Sequence, residues 1–176
     1  MTLQGVTQPV IRLQPVGSTG HDRVAAWLAT PEVGAWWGGA DSAQAHIHLA
    51  RATEHAICRL VLLGDEPIGY GQAMDAADAG RDFAPATWTC DLFIGAASKR
   101  GFGYWSAAMD QLVGEVFATT LALGCAVVVP IRHERVARAA ERIGFGWQSI
   151  TALPRAGPAW VMVRPRPPSG QFRSGG

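Results

Sequence analysis

The sequence contains few charged residues. Only 16% of its 176 residues are Asp, Glu, Lys or Arg, whereas 48% are apolar. This composition excludes a disordered chain, and the length predicts one globular domain with a substantial core. Lys99 is the only lysine, and the formal net charge is +1. Because a nearly neutral chain has no strong field to attract polyanions, neither nucleic acid nor a membrane is predicted as a partner.

Cysteine is also scarce. Cys58, Cys90 and Cys125 lie far apart, each in an apolar run, and no Cys-x-x-Cys pair occurs. An odd and dispersed set of this kind predicts buried reduced thiols and argues against a disulfide framework or a zinc site. The histidines have no acidic or cysteine partner at ligand spacing, so no metal is expected.

No apolar run is long enough to span a bilayer as a helix. The longest, residues 116–130, is interrupted by two threonines and a glycine and is shorter than the roughly 20 apolar residues that a membrane helix needs. The first residues lack the basic segment followed by an apolar stretch that marks a secretory signal. We therefore expect a cytoplasmic protein.

Hydrophobic periodicity predicts an α/β (α+β) domain with a mixed sheet. Strands are predicted at residues 10–13, 57–63, 68–74, 87–94, 125–129, 145–151 and 159–163. Helices are predicted at residues 21–29, 31–38, 42–55, 102–123 and 132–143. Ser18 and either Asp41 or Ser42 are expected to cap the first and third helices. Residues 1–165 are expected to form the single domain, and the Pro-, Gly- and Ser-rich residues 166–176 a disordered tail.

The most informative stretch is residues 90–105, CDLFIGAASKRGFGYW. A predicted strand ends there, and a helix begins close to Gly101 and Gly103. The first N–H groups of a helix favour an anion, and glycines allow a phosphate to approach the backbone. Lys99 and Arg100 add positive charge, so the stretch predicts a pyrophosphate site, with an ordinary strand-to-helix loop as the alternative. It is neither a P-loop nor a complete dinucleotide fingerprint.

Two runs in this half of the chain resemble the signatures of the GNAT acetyltransferases. Residues 98–103, SKRGFG, are similar to the acetyl-CoA loop of that family, Gln/Arg-x-x-Gly-x-Gly/Ala, and residues 135–145 are similar to its second signature. Three further segments resemble aminoglycoside 6'-N-acetyltransferases: residues 27–39, with their Trp-Trp-Gly-Gly, residues 64–72, GDEPIGYGQ, and residues 157–163. The order and spacing of all five runs agree with that family.

The resemblance covers about residues 10–166 and implies the GNAT fold, in which a mixed central sheet splays beside the strand that contains Asp91. It implies acetyl-CoA as co-substrate and direct transfer of the acetyl group to an amine. The pantetheine arm is then expected along the splayed strand and the pyrophosphate at the following helix. The cofactor-binding residues implied are Phe93, Ile94, Lys99, Arg100, Gly101, Phe102, Gly103, Tyr104, His133 and Arg138.

Asp91 is the candidate catalytic residue. It is a lone carboxylate inside an apolar strand, where an unpaired charge is costly, and it falls where the aminoglycoside-modifying relatives carry an aspartate. Its expected role is to bind the acceptor amine and take its proton. A solvated or salt-bridged aspartate at a strand edge is the alternative.

An aminoglycoside antibiotic is the leading acceptor, and acetylation would confer resistance to it. Such a polycation needs an acidic and aromatic pocket. The substrate-binding candidates are Trp36, Trp37, Gln72, Asp75, Asp78, Trp88 and Asp91. For the tryptophans the alternative is the core, and for the loop aspartates it is a solvated loop.

The chain departs from the family at several positions. His133 stands where the resemblance expects an asparagine, with an exposed histidine at a helix start as the alternative, and the loop between Asp91 and Gly101 is shorter than is common. Ala140 stands where the resemblance expects the tyrosine that protonates the leaving thiolate, so the donor is water, the acceptor's own proton or a hydroxyl such as Ser106 or Tyr104. Val128 replaces an acidic residue of some aminoglycoside enzymes. Three other functions therefore stay open: acetylation of another small amine, such as a siderophore precursor or polyamine, acetylation of a protein N-terminus, and non-catalytic acyl-CoA binding. Monomer and homodimer are both compatible with the resemblance.

Overall fold

The computed structural model describes residues 10–36, 39–153 and 156–168. The described residues form seven strands and five α-helices, which follow one another as β1 (Ile11–Pro15), α1 (Ser18–Leu28), α2 (Pro31–Trp36), α3 (Ala40–Ala52), β2 (Ile57–Leu63), β3 (Glu66–Asp75), β4 (Thr87–Ile94), α4 (Tyr104–Thr119), β5 (Gly124–Pro130), α5 (Glu134–Arg142), β6 (Gly146–Leu153) and β7 (Gly157–Pro165). Short 3₁₀ turns at Ala97–Lys99 and Ile131–His133 precede α4 and α5.

The strands form one mixed sheet in the order β1-β2-β3-β4-β5-β7-β6. Neighbouring strands are antiparallel except β4 and β5, which are parallel and are joined through α4. Helices α4 and α5 pack on one face, over a core that includes Leu92, Met109 and Leu112. Helices α1 to α3 cover the other face, where Tyr70 and Phe93 are buried. The predicted α/β class with a mixed sheet is confirmed.

Helix α4 is shorter than the predicted helix at residues 102–123. It begins at Tyr104 because Gly103 has a left-handed backbone, with φ of 80°. It ends at Thr119, since Thr120 is extended and its hydroxyl bonds to the Val116 carbonyl at 2.8 Å. Leu121, which falls inside the predicted helix, therefore lies beyond the end of α4 and is 92% exposed.

The predicted helix caps were wrong. The residues at the N-cap positions of α1 and α3 are Gly17 and Gly39, and neither helix has a side-chain cap. Ser18 lies inside α1, and Asp41 and Ser42 lie inside α3. Short polar side chains and glycine are both common at N-caps, and glycine leaves the first N–H groups to other partners.

The chain after β7 returns to the end of α4. Arg166, the first residue of the predicted tail, donates hydrogen bonds to the carbonyls of Ala122, Phe117 and Thr120 at 2.6, 2.7 and 2.8 Å. Its guanidinium also lies 5.0 Å from the Phe117 ring. A cation here complements the carbonyl groups at the helix C-terminus. Residues 169–176 of the predicted tail lie outside the described residues, and no described helix is long and apolar enough to cross a membrane.

Gly95, directly after β4, allows Trp27 of α1 to pack on the backbone. A Cβ atom built on Gly95 would overlap three atoms of the Trp27 ring. That ring packs edge-on against Phe93, with ring centroids 6.2 Å apart.

We expect Gly95→Ala to lower the free energy of unfolding by about 1–3 kcal/mol, because the indole of Trp27 must move. Gly114→Ala is the control: a Cβ there meets nothing within 4 Å, and alanine should stabilise α4 by about 0.5–1 kcal/mol. Equal chemical denaturation midpoints for the two variants would contradict this packing.

Candidate active site

The sheet opens between β4 and β5. These strands pair at Thr87↔Gly124, Trp88↔Cys125 and Thr89↔Ala126, although both continue for several residues beyond. Past the last pair, carbonyl groups of β4 accept hydrogen bonds from side chains: Leu92 from the Trp105 indole at 3.0 Å and Ile94 from the Arg100 guanidinium at 2.9 Å. Since the N–H and C=O of one strand residue point to the same side, the main chain of Leu92 and Ile94 faces the opening.

The loop after β4 leads into the N-terminus of α4. Gly101 and Gly103 have φ of 85° and 80°, a region that favours glycine. A Cβ atom on either would meet nothing within 4 Å, so both face open space. Gly103 is the N-cap, and no side chain caps the helix. The first N–H groups of α4 therefore form a site suited to a phosphate.

A cleft of about 590 Å³ lies between the opening, this loop and α5. Its described lining contains five basic side chains and one acidic one, which suits a polyanionic ligand. The residues that line it are Glu32, Val33, Leu92, Phe93, Ile94, Lys99, Arg100, Gly101, Gly103, Tyr104, Trp105, Ser106, Arg135, Val136, Arg138, Ala139 and Arg142. Eight of the ten predicted cofactor-binding residues are among them.

Three of the basic residues also bind other protein groups. Arg100 donates to the carbonyls of Ile94 and Gly95, both at 2.9 Å, and so braces the loop. Lys99 is 3.1 Å from Glu66. Arg138 is 2.5 Å from Glu134, whose hydrogen bond and charge raise the pKa of the guanidinium. Arg100 therefore contributes to the shape of the site as well as to its charge.

Arg142 was not predicted as a site residue. It lines the cleft with Arg135 and Arg138, and their spacing of three and four residues puts all three on one face of α5. That spacing was visible in the sequence and could have identified Arg142.

Two predicted cofactor-binding residues do not line the cleft. Phe102 is 67% exposed and stacks on Tyr104 with ring centroids 5.9 Å apart. His133 is the N-cap residue of α5, and its Nε2 accepts a hydrogen bond from Arg132 at 3.2 Å. Burial and then the Arg132 charge lower the pKa of His133, so its imidazole is neutral at pH 7. Ala140 is fully buried in the core.

Asp91 lies on the opposite face of the sheet from α4. It is half-buried and pairs in register with Gln72 of β3. Burial raises the pKa of its carboxyl, although His46 of α3, Arg81 and Gln72 each act to lower it. Its carboxylate is therefore a stronger base than that of an exposed aspartate.

Several predicted acceptor residues are not brought together with Asp91. Successive residues of a strand point to opposite faces, and Trp88 is three residues from Asp91. Trp88 accordingly packs in the core beneath α4 and is 9% exposed, on the opposite face of the sheet from Asp91. Asp75 pairs in register with Trp88 and shares its face, and its carboxylate accepts a hydrogen bond from the Ala77 N–H at 2.9 Å.

The other acceptor candidates differ in exposure. Gln72 is on the same face as Asp91 and is completely buried. Asp78 is exposed on the loop between β3 and β4. Trp36 ends α2, and its side chain is not described. Trp37 lies outside the described residues.

Arg132 connects two segments that are distant in sequence. Its guanidinium donates to the Ala35 carbonyl of α2 at 3.2 Å and to the Ala156 carbonyl before β7 at 2.9 Å. The sequence places Arg132 at the start of the predicted helix at residues 132–143. It does not predict this bridge, because both acceptors are main-chain groups distant in sequence.

These features together define a class of protein. The parallel strands separate, an uncapped helix N-terminus lies beside the separation, and the cleft is basic. Together these features form a site for an acyl-CoA thioester. A half-buried carboxylate lies on the strand at the opening. This is the architecture of an acyl-CoA-dependent acyltransferase.

Comparison with known proteins identifies the family. Residues 18–153 match the family described as "Acetyltransferase (GNAT) domain", and the chain belongs to this family. The predicted GNAT fold and the predicted activity, transfer of an acetyl group from acetyl-CoA to an amine, are confirmed.

The chain is also similar to individual aminoglycoside acetyltransferases. It is 27% identical over 162 residues to the aminoglycoside N(6')-acetyltransferase type 1 of Klebsiella pneumoniae and to that of Serratia marcescens, with 84% of this chain and 80% of each relative covered. The structure of AAC(6')-Ib in complex with paromomycin and acetyl-CoA has a TM-score of 0.73 and 25% identity, covering 90% of this chain and 94% of that one. An aminoglycoside N(6')-acetyltransferase from Legionella pneumophila, 16% identical with a TM-score of 0.70, shares the fold and covers 91% and 94%.

Proposed function

We propose that this acetyltransferase acetylates a primary amine of an aminoglycoside and thereby confers resistance to it. The observation that carries the proposal is Asp91, a half-buried carboxylate of raised pKa on the strand that borders the opening of the sheet. The similarity to two aminoglycoside N(6')-acetyltransferases supports this acceptor.

Acetyl-CoA is proposed to bind in the basic cleft. Its pyrophosphate would accept hydrogen bonds from the first N–H groups of α4, beside Gly101 and Gly103. Its pantetheine arm would run along the opening, against the main chain of Leu92 and Ile94. The basic face of α5 would hold the remaining phosphate, with Arg135, Arg138 and Arg142 as donors.

The reaction begins with the acceptor amine bound as an ammonium ion beside Asp91. Asp91 takes one proton, and the neutral amine attacks the thioester carbonyl carbon. A main-chain N–H of β4 that faces the opening stabilises the oxyanion. When the intermediate collapses, the C–S bond breaks and the sulfur leaves with its electron pair as a thiolate. The nitrogen, which became positively charged on attack, releases its extra proton to solvent and becomes the neutral amide, and the thiolate takes a proton. Ala140 has no proton to give, so the donors in reach of the cleft are water and the hydroxyls of Tyr104 and Ser106.

A small amine of lower charge is a second candidate acceptor. His46 and Arg81 act on the charge of Asp91 from α3 and from the loop after β3. Basic groups so close to the attacking amine oppose the binding of a polycation more strongly than that of a monoamine.

Thiol release tests the two acceptors. The purified protein is mixed with acetyl-CoA and, in separate reactions, with kanamycin, ribostamycin, spermidine, simple monoamines and short peptides. Fast release with the aminoglycosides alone, with one acetyl group added by mass spectrometry, is the expected result. Faster release with monoamines would favour the second candidate, and expression in a susceptible bacterium without a rise in the inhibitory concentration would contradict the resistance role.

A further inference from the structure

Two fully buried polar side chains lie beside Asp91 on the same face of the sheet. Tyr70 and Gln72 belong to β3 and are 1% and 0% exposed. The Tyr70 hydroxyl donates a hydrogen bond to Gln72 Oε1 at 3.0 Å. Gln72 pairs in register with Asp91 across β3 and β4, so both side chains leave the sheet on the same face. Cys58 of β2 is the register partner of Gln72 on its other side. Cys58, Gln72 and Asp91 therefore form a row across β2, β3 and β4.

The Gln72 amide has one orientation relative to the Tyr70 hydroxyl. A glutamine amide has an acceptor end and a donor end, and Tyr70 occupies the acceptor end. The donor end, Nε2, is then directed away from Tyr70. Among the described residues Nε2 makes no hydrogen bond, although it is buried. A buried amide without a partner lowers stability and requires a physical reason.

We propose that Tyr70 and Gln72 are positioning residues that hold the Asp91 carboxylate in one orientation by presenting the Gln72 amide N–H groups to it. The inference rests on the proposed function, in which Asp91 is the base. A hydrogen-bonding interaction with Gln72 acts to lower the pKa of Asp91, so the amide lies near enough to act on the carboxylate charge. With the acceptor bound, a small rotation of Asp91 completes that bond and turns its other oxygen toward the amine.

Other charged or titratable groups face this row from each neighbouring element. His46 of α3 and Arg81 of the loop after β3 act on Asp91. Cys58 of β2 hydrogen-bonds to Tyr70, and Arg51 of α3 also acts on it. Burial and then Cys58 raise the pKa of Tyr70 far above its ordinary value, so the hydroxyl keeps its proton and remains a donor to Gln72 throughout the working range of the enzyme.

Gln72→Leu removes the amide and keeps the approximate volume. We expect the titration midpoint of the Asp91 carboxyl, followed by ¹³C NMR, to move to higher pH, because burial is no longer opposed by the amide. The acid limb of the pH profile of kcat should move in the same direction. At pH 6, kcat should therefore fall about 10-fold, which is less than the full contribution of a general base. The Kd of acetyl-CoA should not change. Tyr70→Phe, which frees the amide to rotate, should move the midpoint in the same direction by less.

The control is Gln148→Leu, the same change at an exposed position of β6, which should leave the titration and the profile unaltered. An unmoved Asp91 midpoint in Gln72→Leu and Tyr70→Phe overturns the positioning role, whether or not Asp91 is the base. If Gln72→Leu fails to fold, Tyr70→Phe decides alone. Full turnover in Asp91→Asn overturns the role of Asp91 as base, while a moved midpoint still supports the contact between Gln72 and Asp91.

Discussion

Replacing Asp91 with asparagine is expected to lower kcat by about 10²–10⁴-fold, the usual contribution of a general base, with nearly unchanged affinity for acetyl-CoA. Asparagine has the same shape but cannot take a proton from the ammonium group. Steady-state kinetics and isothermal titration calorimetry measure the two quantities. Asp65→Asn is the control, since Asp65 is exposed in the turn before β3, where it pairs with Arg12 at 2.6 Å. Unchanged turnover in Asp91→Asn would remove Asp91 from the mechanism.

The same variant should be more stable than the parent protein at alkaline pH. Burial raises the pKa of Asp91 above its ordinary value of 3.8, so the folded state holds this proton more tightly than the unfolded state does. The resulting stability is fully present below the unfolded pKa and is lost as the pH rises through the folded pKa. Asparagine carries no charge, so the difference in Tm between variant and parent should increase from pH 4 to pH 8. A loss of stability at pH 8 would contradict the desolvation of Asp91.

Replacing Gly103 with tryptophan is expected to weaken acetyl-CoA binding by at least about 100-fold, or about 2.7 kcal/mol. A side chain at this position extends from the N-cap of α4 into open space. An indole there would cover the first N–H groups of the helix, where the pyrophosphate is proposed to bind. Calorimetric titration with CoA and with acetyl-CoA measures the loss.

The matched control for that variant is Gly64→Trp. Gly64 also has a left-handed backbone, with φ of 63°, and open space around its Cβ position, but it lies in the turn between β2 and β3. Both variants therefore carry similar backbone strain and the same added ring. Retained acetyl-CoA affinity in Gly64→Trp together with its loss in Gly103→Trp separates blockage of the cleft from general destabilisation. Normal affinity in Gly103→Trp would refute the assignment of this loop.

The sequence predicted the central strands accurately. Residues 57–63 and 87–94 form β2 and β4 with the predicted bounds, because apolar runs between turn signals are strong local indicators. Helix ends were less predictable. The predicted helix at residues 102–123 is longer than α4 at both ends. The left-handed Gly103 precedes the first helical residue, and the extended Thr120 follows the last one. Backbone conformation at single residues decides such limits, and periodicity does not report it.

The cleft was largely predictable, whereas the surroundings of Asp91 were not. Lys99, Arg100 and Tyr104 follow one another in a loop and helix start, so local sequence brings them together. The separation of Trp88 from Asp91 was available from the two-residue period of a strand. By contrast, the burial of Gln72 and the bridge made by Arg132 depend on how helices and loops distant in sequence pack around the sheet.

Three residue pairs join β4 to β5, so the sheet consists of two halves with a short contact between them. One half contains β1 to β4, and the other contains β5, β7 and β6. Acetyl-CoA bound as proposed would contact the first half through β4 and would contact α5, which packs on the second half, and it would thereby connect the two halves. We therefore expect bound acetyl-CoA to make the surface around Asp91 more rigid before the acceptor docks. The expected kinetic consequence of that short parallel contact is an ordered reaction, in which acetyl-CoA binds first and CoA leaves last.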